Sequence, residues 1–405
     1  MKALGLTSQI IIFICFFTVN VRSQVGAIPD LNTLLSHEKK LFSFYSLIQK
    51  YPQVLLQLPS YAGVTILAPS NDAFEKIPFS ELNEAFKNGD QDVITNLLEY
   101  HILQGTRDAA HLKPGAPVFL PTLLTSSKWT NVTGGQKVQN IKQAGNAVVF
   151  VSGQGRRSTL TKADLEFTGG KVQVIDSILI PPSNLTKTAT SFSLDSFLGA
   201  LYSSGRIPDL VNTGNLTILA PNNQAFEVLG TAITNLTVEE LGSVIDYHIL
   251  PDVIYSTGLT NQTKLLTKQG QEITVLHSGN NIYVNSAQLV STDILLANGV
   301  LHVIDNVLSP QAIDAQPNPE IASQVPVFAS ATEADNTPFT DAIPCTSSCP
   351  QTADTSASST IAGQASQTFF HTAKSKALGA SVARETGIRK AAKLMVALGG
   401  AAFLV

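Results

Sequence analysis

One stretch of fourteen residues is written twice in this chain. VTILAPSNDAFEKI, at 64–77, returns as LTILAPNNQAFEVL at 216–229, and nine of the fourteen positions are identical. Two further blocks recur in the same order: ITNLLEYHIL returns as LGSVIDYHIL, and GGKVQVIDSILIPP returns as NGVLHVIDNVLSP. Repetition on this scale predicts two tandem domains of one fold, which we place at 25–183 and 188–311.

Each copy carries helical sequence before strand-like sequence. The run TILAP combines β-branched and aliphatic residues and ends in proline, which predicts a buried strand that stops at the proline. Residues 31–58 have helical periodicity, and Thr237 with Glu240 fits a capping box that starts a helix. Turn residues at Gly279-Asn280-Asn281 separate two runs of strand formers, which is a hairpin pattern. This order predicts an α+β domain rather than an alternating parallel sheet.

The first 23 residues have the pattern of a secretory signal peptide. Lys2 supplies a positive charge, an apolar run covers roughly residues 10–19, and the small residues Val21 and Ser23 precede a cleavage point after Ser23. The alternative is a membrane anchor, but the run is shorter than the ~20 apolar residues that a bilayer requires. We therefore expect a secreted chain.

The last residues have the order of a glycosylphosphatidylinositol (GPI) signal: small residues, a polar spacer and an apolar tail. We expect attachment at Ser381, with Gly379 as the second choice, and loss of residues 382–405 as a propeptide. The alternative is a frayed amphipathic tail, which would leave the apolar residues 394–405 unshielded. The expected location is the outer face of the plasma membrane, held by the lipid anchor, or the cell wall.

Residues 312–381 differ in character from the repeats. They are rich in Ser, Thr, Ala and Pro and poor in aromatic residues, so we expect a disordered, O-glycosylated stalk that cannot bury enough surface to fold. An unmodified disordered linker is the alternative. Cys345 and Cys349 lie in this segment, and we expect a local disulfide, because two thiols without a nearby histidine do not make a metal site. The sequence predicts no metal site and no cofactor.

Five Asn-x-Ser/Thr sequons fall between residues 131 and 263, and none lies in the stalk. In a secreted chain each is a candidate for N-glycosylation, and their clustering argues against chance occurrence. Asn215 directly precedes a predicted strand, so we expect it to be the least accessible. The five acceptors are Asn131, Asn184, Asn215, Asn235 and Asn261.

The repeated blocks resemble the signatures of the fasciclin domain family. TILAPSNDAFEKI and TILAPNNQAFEVL are similar to its first signature and VQVIDSIL and LHVIDNVL to its second, while Tyr100-His101 and Tyr247-His248 match its mid-domain Tyr-His motif. The resemblance covers roughly residues 28–311. It implies two wedge-shaped β-sandwich domains flanked by helices. With the stalk and the GPI signal, the chain resembles two-domain cell-surface glycoproteins of fungi or plants, and we favour a fungal one.

The resemblance implies adhesion, or interaction with the cell wall or extracellular matrix, without catalysis. The expected partners are cell-surface or cell-wall glycans or proteins, or a second copy of the chain. The Tyr-His residues are candidate adhesion contacts by analogy with animal members. The alternative is a packed helix-to-strand junction with both side chains hydrogen-bonded. Asp164 and Asp293 match the family's Asp-Ile pair, where a buried carboxylate must be hydrogen-bonded.

Other classes of function have less support. A net charge of −4 leaves no electrostatic footprint for nucleic acid. The chain has neither a Gly-x-Ser-x-Gly elbow nor a His-Glu-x-x-His motif, so we predict that it is not an enzyme. Gly153-Gln154-Gly155 beside Arg156-Arg157 predicts a surface turn rather than a phosphate loop, because no long helix follows. A carrier of lipid or another small apolar ligand is the alternative function, and a secreted enzyme is less favoured.

Overall fold

A computed structural model describes the chain over residues 27–58, 63–109, 115, 117–143, 145 and 147–344. Within these ranges the chain forms two domains of one topology, each with helices before and around a seven-stranded sheet. This is the α+β architecture that the repeats predict. The predicted signal peptide, the two stalk cysteines and both candidate GPI attachment residues lie outside the described residues, so they stay predictions.

The first domain begins with three short helices and places three more between its first two strands. Its helices are α1 Leu31–His37, α2 Phe42–Lys50, α3 Gln53–Leu56, α4 Asn71–Phe74, α5 Asn83–Asn88 and α6 Gln91–Tyr100. Its strands are β1 Val64–Pro69, β2 Ile102–Gln104, β3 Val118–Pro121, β4 Lys137–Lys142, β5 Val148–Val151, β6 Arg157–Phe167 and β7 Gly170–Ile175.

The second domain repeats this order with the same number of elements. Its helices are α7 Leu185–Ser191, α8 Asp195–Ser203, α9 Ile207–Asn212, α10 Asn223–Glu227, α11 Thr231–Thr234 and α12 Val238–Tyr247. Its strands are β8 Leu216–Pro221, β9 Ile249–Leu250, β10 Lys264–Leu266, β11 Glu272–Ser278, β12 Asn281–Val284, β13 Ala287–Leu296 and β14 Gly299–Ile304.

Each sheet curls into a barrel-like sandwich. The strand order is β2-β1-β7-β6-β5-β4-β3 in the first domain and β9-β8-β14-β13-β12-β11-β10 in the second. Among the described strands, only β1 with β7, and β8 with β14, pair in parallel. In the first domain a bridge between Leu103 and Thr122 joins the two edges of the sheet, which leaves few backbone groups unpaired at the edges.

The repeated run TILAP is buried along its whole length in both copies. In β1, Ile66 and Ala68 belong to the core between sheet and helices, while Leu67 points into the core inside the barrel. Both faces of the strand are therefore covered, which explains an unbroken apolar run instead of an alternating one. The repeated glycines Gly170 and Gly299 pair with this strand, and a Cβ there would collide with a carbonyl oxygen of the partner strand.

An asparagine that occurs in both copies of the repeated block, Asn71 and Asn223, anchors the helices that precede it. The Asn71 side chain accepts the Ser43 N–H at 3.0 Å and donates to Lys39 O at 2.9 Å. Asn223 does the same in the second domain, accepting the Ser196 N–H at 3.1 Å. These bonds tie the loop after the central strand to the N-terminal helices, so the repetition encodes tertiary contacts as well as a strand.

The two domains are joined by direct backbone hydrogen bonds. The Asn131 N–H donates to Ala297 O at 2.8 Å, and the Ala297 N–H donates to Ser183 O at 2.9 Å. Beside them the rings of Phe119 and Tyr255 stack with centroids 3.7 Å apart and an interplanar angle of 14°. Such contacts resist bending between the domains, since moving one domain would break several of them together.

The first part of the expected stalk is packed on the second domain. The Ala334 N–H donates to Glu227 O at 2.8 Å, and the Phe339 ring meets Phe226 edge-on at 6.0 Å between centroids. Phe328 also packs on the core of this domain. The expectation that the disordered segment begins at residue 312 is wrong for 312–344, because its two phenylalanines pack, half-buried, on the core of the second domain. Residues 345–381 lie outside the described part of the chain.

Candidate functional site

The Tyr-His pairs end helices α6 and α12 and lie inside their domains. All four side chains are at most 2% exposed. The Tyr100 hydroxyl donates to Lys137 O at 3.0 Å, and the Tyr247 hydroxyl donates to Glu272 O at 3.1 Å. Each tyrosine therefore joins the end of the long helix to the first residue of the strand across the barrel, β4 or β11.

The two histidines use both ring nitrogens for backbone groups. In His101, Nδ1 donates to Leu97 O at 2.8 Å, and Nε2 accepts the Leu179 N–H at 3.0 Å. His248 repeats both bonds in its own domain, at 2.7 and 3.0 Å. Accepting an N–H requires a neutral ring, and burial agrees with this because it lowers the pKa of both histidines to about 4.

This placement corrects the prediction that Tyr100, His101, Tyr247 and His248 are adhesion contacts. A side chain with no exposed surface cannot contact a partner unless the domain opens. The alternative interpretation, a packed helix-to-strand junction with satisfied hydrogen bonds, describes all four residues. These four residues therefore form no contact surface on the folded domains.

A bulge with an aspartate of positive φ recurs in both domains. Asp164 (φ 55°) and Asp293 (φ 64°) lie where the pairing of β6 with β7, and of β13 with β14, shifts register. The Asp293 carboxylate accepts the Ser256 N–H at 2.7 Å, and its own N–H donates to His302 Nδ1 at 3.2 Å. The bulge therefore positions a carboxylate that holds the loop after β9.

Ser256, His302 and Asp293 are the residue types of a hydrolase triad, but their bonds differ. The Ser256 hydroxyl donates to the Asp293 carboxylate and not to the histidine. His302 Nε2 donates to Ile254 O at 2.9 Å, and Nδ1 accepts a backbone N–H, so neither nitrogen is available as a base. A triad needs the serine on the histidine and the histidine on the carboxylate. The bonds of this cluster hold the loop after β9 in place.

Three of the five sequon asparagines are exposed and free of contacts between the domains. Asn184 begins helix α7 and caps it through its side-chain oxygen. Asn235 ends helix α11, and Asn261 accepts the His277 N–H at 2.8 Å. Asn184 and Asn261 use their side-chain oxygens in these bonds, and in all three residues the side-chain nitrogen, which would carry a glycan, makes no hydrogen bond among the described residues.

The other two sequons meet at the seam between the domains. The Asn215 side chain accepts the Thr133 N–H at 2.8 Å and donates to the Thr133 hydroxyl at 2.9 Å. Thr133 is the hydroxyl residue of the Asn131 sequon, and Asn131 Nδ2 donates to Asn212 O at 3.2 Å. Both acceptor nitrogens are therefore engaged. The expectation that Asn215 is poorly accessible agrees with this geometry.

The surface feature that best fits a partner site is a cleft of about 340 Å³ on the first domain. Phe79 stands beside it with 93% of its surface exposed. Arg156 and Arg157 line the same cleft, and neither guanidinium has a hydrogen-bond or ion-pair partner among the described residues. We call this feature, with Lys76 and Ile180 in its wall, the Phe79 cleft.

The predicted surface turn Gly153-Gln154-Gly155 carries the two arginines into the Phe79 cleft. Gln154 adopts φ 56° and donates to the Glu81 carboxylate at 3.1 Å, which fixes the turn against the segment after Phe79. Sequence reasoning found the turn and the arginines but not Phe79. A lone exposed phenylalanine between Pro78 and Ser80 has no periodic pattern that would mark it.

The described residues contain neither a candidate metal site nor a helix that could span a membrane. No group of three or more His, Cys, Asp or Glu side chains is arranged to hold a metal ion. No helix in this part of the chain is both long enough and apolar enough to cross a bilayer.

Comparison with known proteins identifies the repeats. The family model described as "Fasciclin domain" matches residues 39–181 and 192–310. A "Fasciclin-like arabinogalactan protein" of Arthroderma benhamiae is 31% identical over 312 residues, which cover 76% of this chain and 73% of that protein. "Fasciclin-like arabinogalactan protein elcF" of Phaeosphaeria nodorum is 26% identical, covering 70% of this chain and 90% of that protein.

Animal proteins are similar over a smaller part of their length. "Transforming growth factor-beta-induced protein ig-h3" of Sus scrofa is 28% identical over 61% of this chain, but the match covers only 35% of that protein. A solved FAS1 domain pair from the insect cell adhesion molecule fasciclin I covers 68% of this chain and 99% of its own, at 19% identity and a TM-score of 0.33. The family match covers most of the chain in two copies, and this chain therefore belongs to the fasciclin domain family.

Proposed function

We propose that the chain is a non-catalytic cell-surface glycoprotein that mediates adhesion by binding acidic glycans of the cell surface or cell wall in the Phe79 cleft. The observation that carries the proposal is the pairing of a fully exposed aromatic ring with two unpaired guanidinium groups in one concave surface. Exposed aromatic residues and arginines are the residue types enriched where proteins bind partners.

The chemistry of the Phe79 cleft selects the partner class. A phenyl ring offers an apolar face on which the C–H face of a sugar can pack. Arg156 and Arg157 each present a planar set of donors that matches a carboxylate in two places. Lys76 adds positive charge at the wall, where its Nζ donates to Asp176 O at 3.0 Å. A uronic-acid polymer supplies both the sugar face and the carboxylates.

The rest of the chain supports presentation at a surface. The sequence carries the patterns of a signal peptide and a GPI anchor, and the domain pair is held together by hydrogen bonds and ring stacking. Two fungal relatives are named fasciclin-like arabinogalactan proteins. Many anchored copies on one cell raise the effective concentration, so a weak single-site affinity suffices for attachment.

The test is attachment of protein-coated beads to polygalacturonate, to dextran as a neutral polysaccharide, and to isolated wall polysaccharide of the source cells. We expect attachment to polygalacturonate and wall material that is at least tenfold above dextran. Changing Phe79→Ala together with Arg156→Gln and Arg157→Gln should remove most of it. The matched control carries Phe42→Ala, Lys39→Gln and Lys40→Gln, which alter an exposed phenylalanine and two exposed cations outside the cleft.

If the control variant lost as much attachment as the cleft variant, the loss would reflect net charge alone. That result would contradict the Phe79 cleft as the binding site. Absence of attachment by the wild-type protein to every acidic material would contradict the adhesion proposal itself. Thermal melts of all three proteins keep a folding defect from being mistaken for a binding defect, since the substituted side chains are exposed and should leave the melting temperature unchanged.

A further inference from the structure

A second cleft lies at the seam between the domains. Its volume of about 370 Å³ falls within the ~300–1,000 Å³ typical of small-ligand sites. The wall is formed by the first domain, by the segment 180–187 and by Ala297 of the second domain. Its apolar lining includes Val93, Leu97 and the indole of Trp129. We call this feature the Trp129 cleft.

Trp129 lies in a loop that is long only in the first domain. In both domains a threonine hydroxyl directly after the third strand donates to a backbone carbonyl and closes the loop to the fourth strand. The closed loop contains residues 123–135 in the first domain and only 268–270 in the second. The barrel therefore closes without the extra residues, and the longer loop serves the seam instead.

Ala297 brings Trp129 and the sequon residue Asn184 to the same place. The Ala297 N–H donates to Ser183 O at 2.9 Å, and Ala297 O accepts the Thr130 hydroxyl at 3.2 Å. Ser183 directly precedes Asn184, and Thr130 directly follows Trp129. One peptide unit thus holds the neighbours of both residues, and both residues line the Trp129 cleft.

Asn184 presents its glycan acceptor atom in the wall of this cleft. Its Oδ1 accepts the Lys187 N–H at 3.0 Å and the Thr186 hydroxyl at 3.1 Å, whereas Nδ2 makes no hydrogen bond within the described part of the chain. The other two exposed sequon residues, Asn235 and Asn261, do not line the Trp129 cleft. A glycan on Asn184 therefore begins beside a hollow, and its innermost sugar is the group nearest to that hollow.

The chemistry of the lining fits this sugar. Lys187 forms an ion pair with Glu81, and Lys128 forms one with Asp92, so a charged ligand would have to compete with a bonded partner. A wholly apolar ligand would desolvate these groups without replacing their bonds to water. N-acetylglucosamine is neutral and combines an apolar ring face with hydroxyls. Because the indole Nε1 of Trp129 is buried, the ring surface rather than this donor would meet the sugar.

We propose that the innermost N-acetylglucosamine of the Asn184 glycan is seated in the Trp129 cleft, with its apolar face on the indole ring. The covalent link holds the sugar at high effective concentration, so weak packing is sufficient. A sugar seated there contacts both domains. The inference rests on the glycoprotein part of the proposed function and not on binding in the Phe79 cleft.

The test uses fluorescence, because Trp129 is the sole tryptophan of the chain. The protein is secreted from a host that adds high-mannose glycans, and peptide mapping measures the occupancy of Asn184. Thr186→Ala removes this sequon but keeps the asparagine that caps α7. We expect acrylamide to quench Trp129 about twofold more efficiently in this variant than in the wild type. Thr263→Ala removes the Asn261 sequon instead, so it should quench like the wild type.

A second measurement leaves the sequence unchanged. Trimming the wild-type protein with an endoglycosidase that leaves one sugar on each asparagine should preserve the protection of Trp129, because the innermost sugar is the one in the cleft. Nuclear Overhauser effects between the sugar and the indole ring should then be present in NMR spectra of the trimmed protein.

Three results would overturn the proposal. The first is an unoccupied Asn184 in the folded, secreted protein. The second is equal quenching of Trp129 in the wild type and in Thr186→Ala. The third is loss of protection on trimming, which would assign the shielding to the outer sugars. Trp129 does not line the Phe79 cleft, although the two clefts share Glu81, Leu82 and Ile180, so the fluorescence result and bead attachment to polygalacturonate can fail separately.

Discussion

Gln173 and His302 occupy equivalent positions in the two barrels. Each holds the loop after the second strand of its own domain. Gln173 Nε2 donates to Arg107 O at 3.1 Å and its Oε1 accepts the Asp164 N–H at 2.9 Å. His302 makes the corresponding bonds to Ile254 O and from the Asp293 N–H, at 2.9 and 3.2 Å. One amide and one imidazole thus perform a single structural task, and only the imidazole can titrate.

This relationship predicts that His302→Gln is tolerated. The amide reproduces both backbone bonds, so we expect the free energy of unfolding at pH 7.5 to change by no more than about 1 kcal/mol. His302→Ala should cost about 2–4 kcal/mol, because it leaves a buried carbonyl and a buried N–H without partners. Urea unfolding of the three proteins measures both values, and equal losses for Gln and Ala would contradict the equivalence of the two positions.

The neutral histidines of the Tyr-His pairs predict a loss of stability in acid. Burial lowers the pKa of His101 and His248 to about 4, whereas an unfolded histidine titrates near 6.5. The unfolded chain therefore binds more protons below pH 6.5. The stabilisation is present above that pH and disappears as the pH falls towards 4, on the order of 3 kcal/mol for each histidine.

The measurement is the free energy of unfolding at pH 7.5, 5.5 and 4.5 for the wild type, His101→Gln and His37→Gln. We expect His101→Gln to lose part of the pH dependence, since glutamine offers similar bonds and does not titrate. His37 is exposed, so its variant should follow the wild type. Identical slopes in all three proteins would show that His101 is not the titrating group.

The contacts between the domains predict that both domains unfold together. Stacking of Phe119 on Tyr255 and the backbone bonds around Asn131 and Ala297 link the two cores. We expect one calorimetric transition in the wild type and two in Phe119→Ala, because an aromatic pair adds about 1 kcal/mol beyond its buried area. Phe42→Ala is the matched control and should retain one transition. Two transitions in the wild type would contradict a coupled pair.

The positions of the sequons predict which asparagines carry glycans. Asn184, Asn235 and Asn261 are exposed with unbonded acceptor nitrogens, so we expect high occupancy in peptide mapping by mass spectrometry. Asn215 bonds Thr133 across the seam through its acceptor nitrogen, so we expect it to be unoccupied in the folded, secreted protein. A fully occupied Asn215 in a protein with one calorimetric transition would contradict the seam described here.

Much of the fold was predictable because its signals are local. The TILAP strands, the capping box of Thr237 and Glu240, and the hairpin turn at Gly279 each lie within a few residues of sequence, and the structure contains all of them. Their repetition in two copies also predicted the domain pair. Local chemistry is sufficient for such elements, since caps, turns and buried strands depend on neighbouring residues.

The packing of residues 312–344 was not predictable from composition. A composition window rich in small polar residues hides the contribution of Phe328 and Phe339, which pack half-buried on the core of the second domain. Gly199, in the middle of α8, reflects this packing, because a Cβ there would collide with the backbone of Phe339. Interpreting that glycine requires knowledge of the fold.

The candidate site was equally hidden from sequence. The Phe79 cleft unites the segment after α4, the turn before β6 and the chain after β7, which are up to about a hundred residues apart. The Tyr-His motif stood out in the sequence because it is repeated, but repetition here reflects two equivalent junctions. A site that is present in only one domain is not repeated, so repetition in the sequence cannot reveal it.

The central claim is that the first domain binds acidic glycan in the Phe79 cleft while the Tyr-His junctions stay buried. Hydrogen–deuterium exchange with and without polygalacturonate tests it most directly. We predict added protection confined to residues 76–82 and 153–157, with no change at 97–101 or 244–248. Protection at the Tyr-His segments without any at the Phe79 cleft would contradict the account.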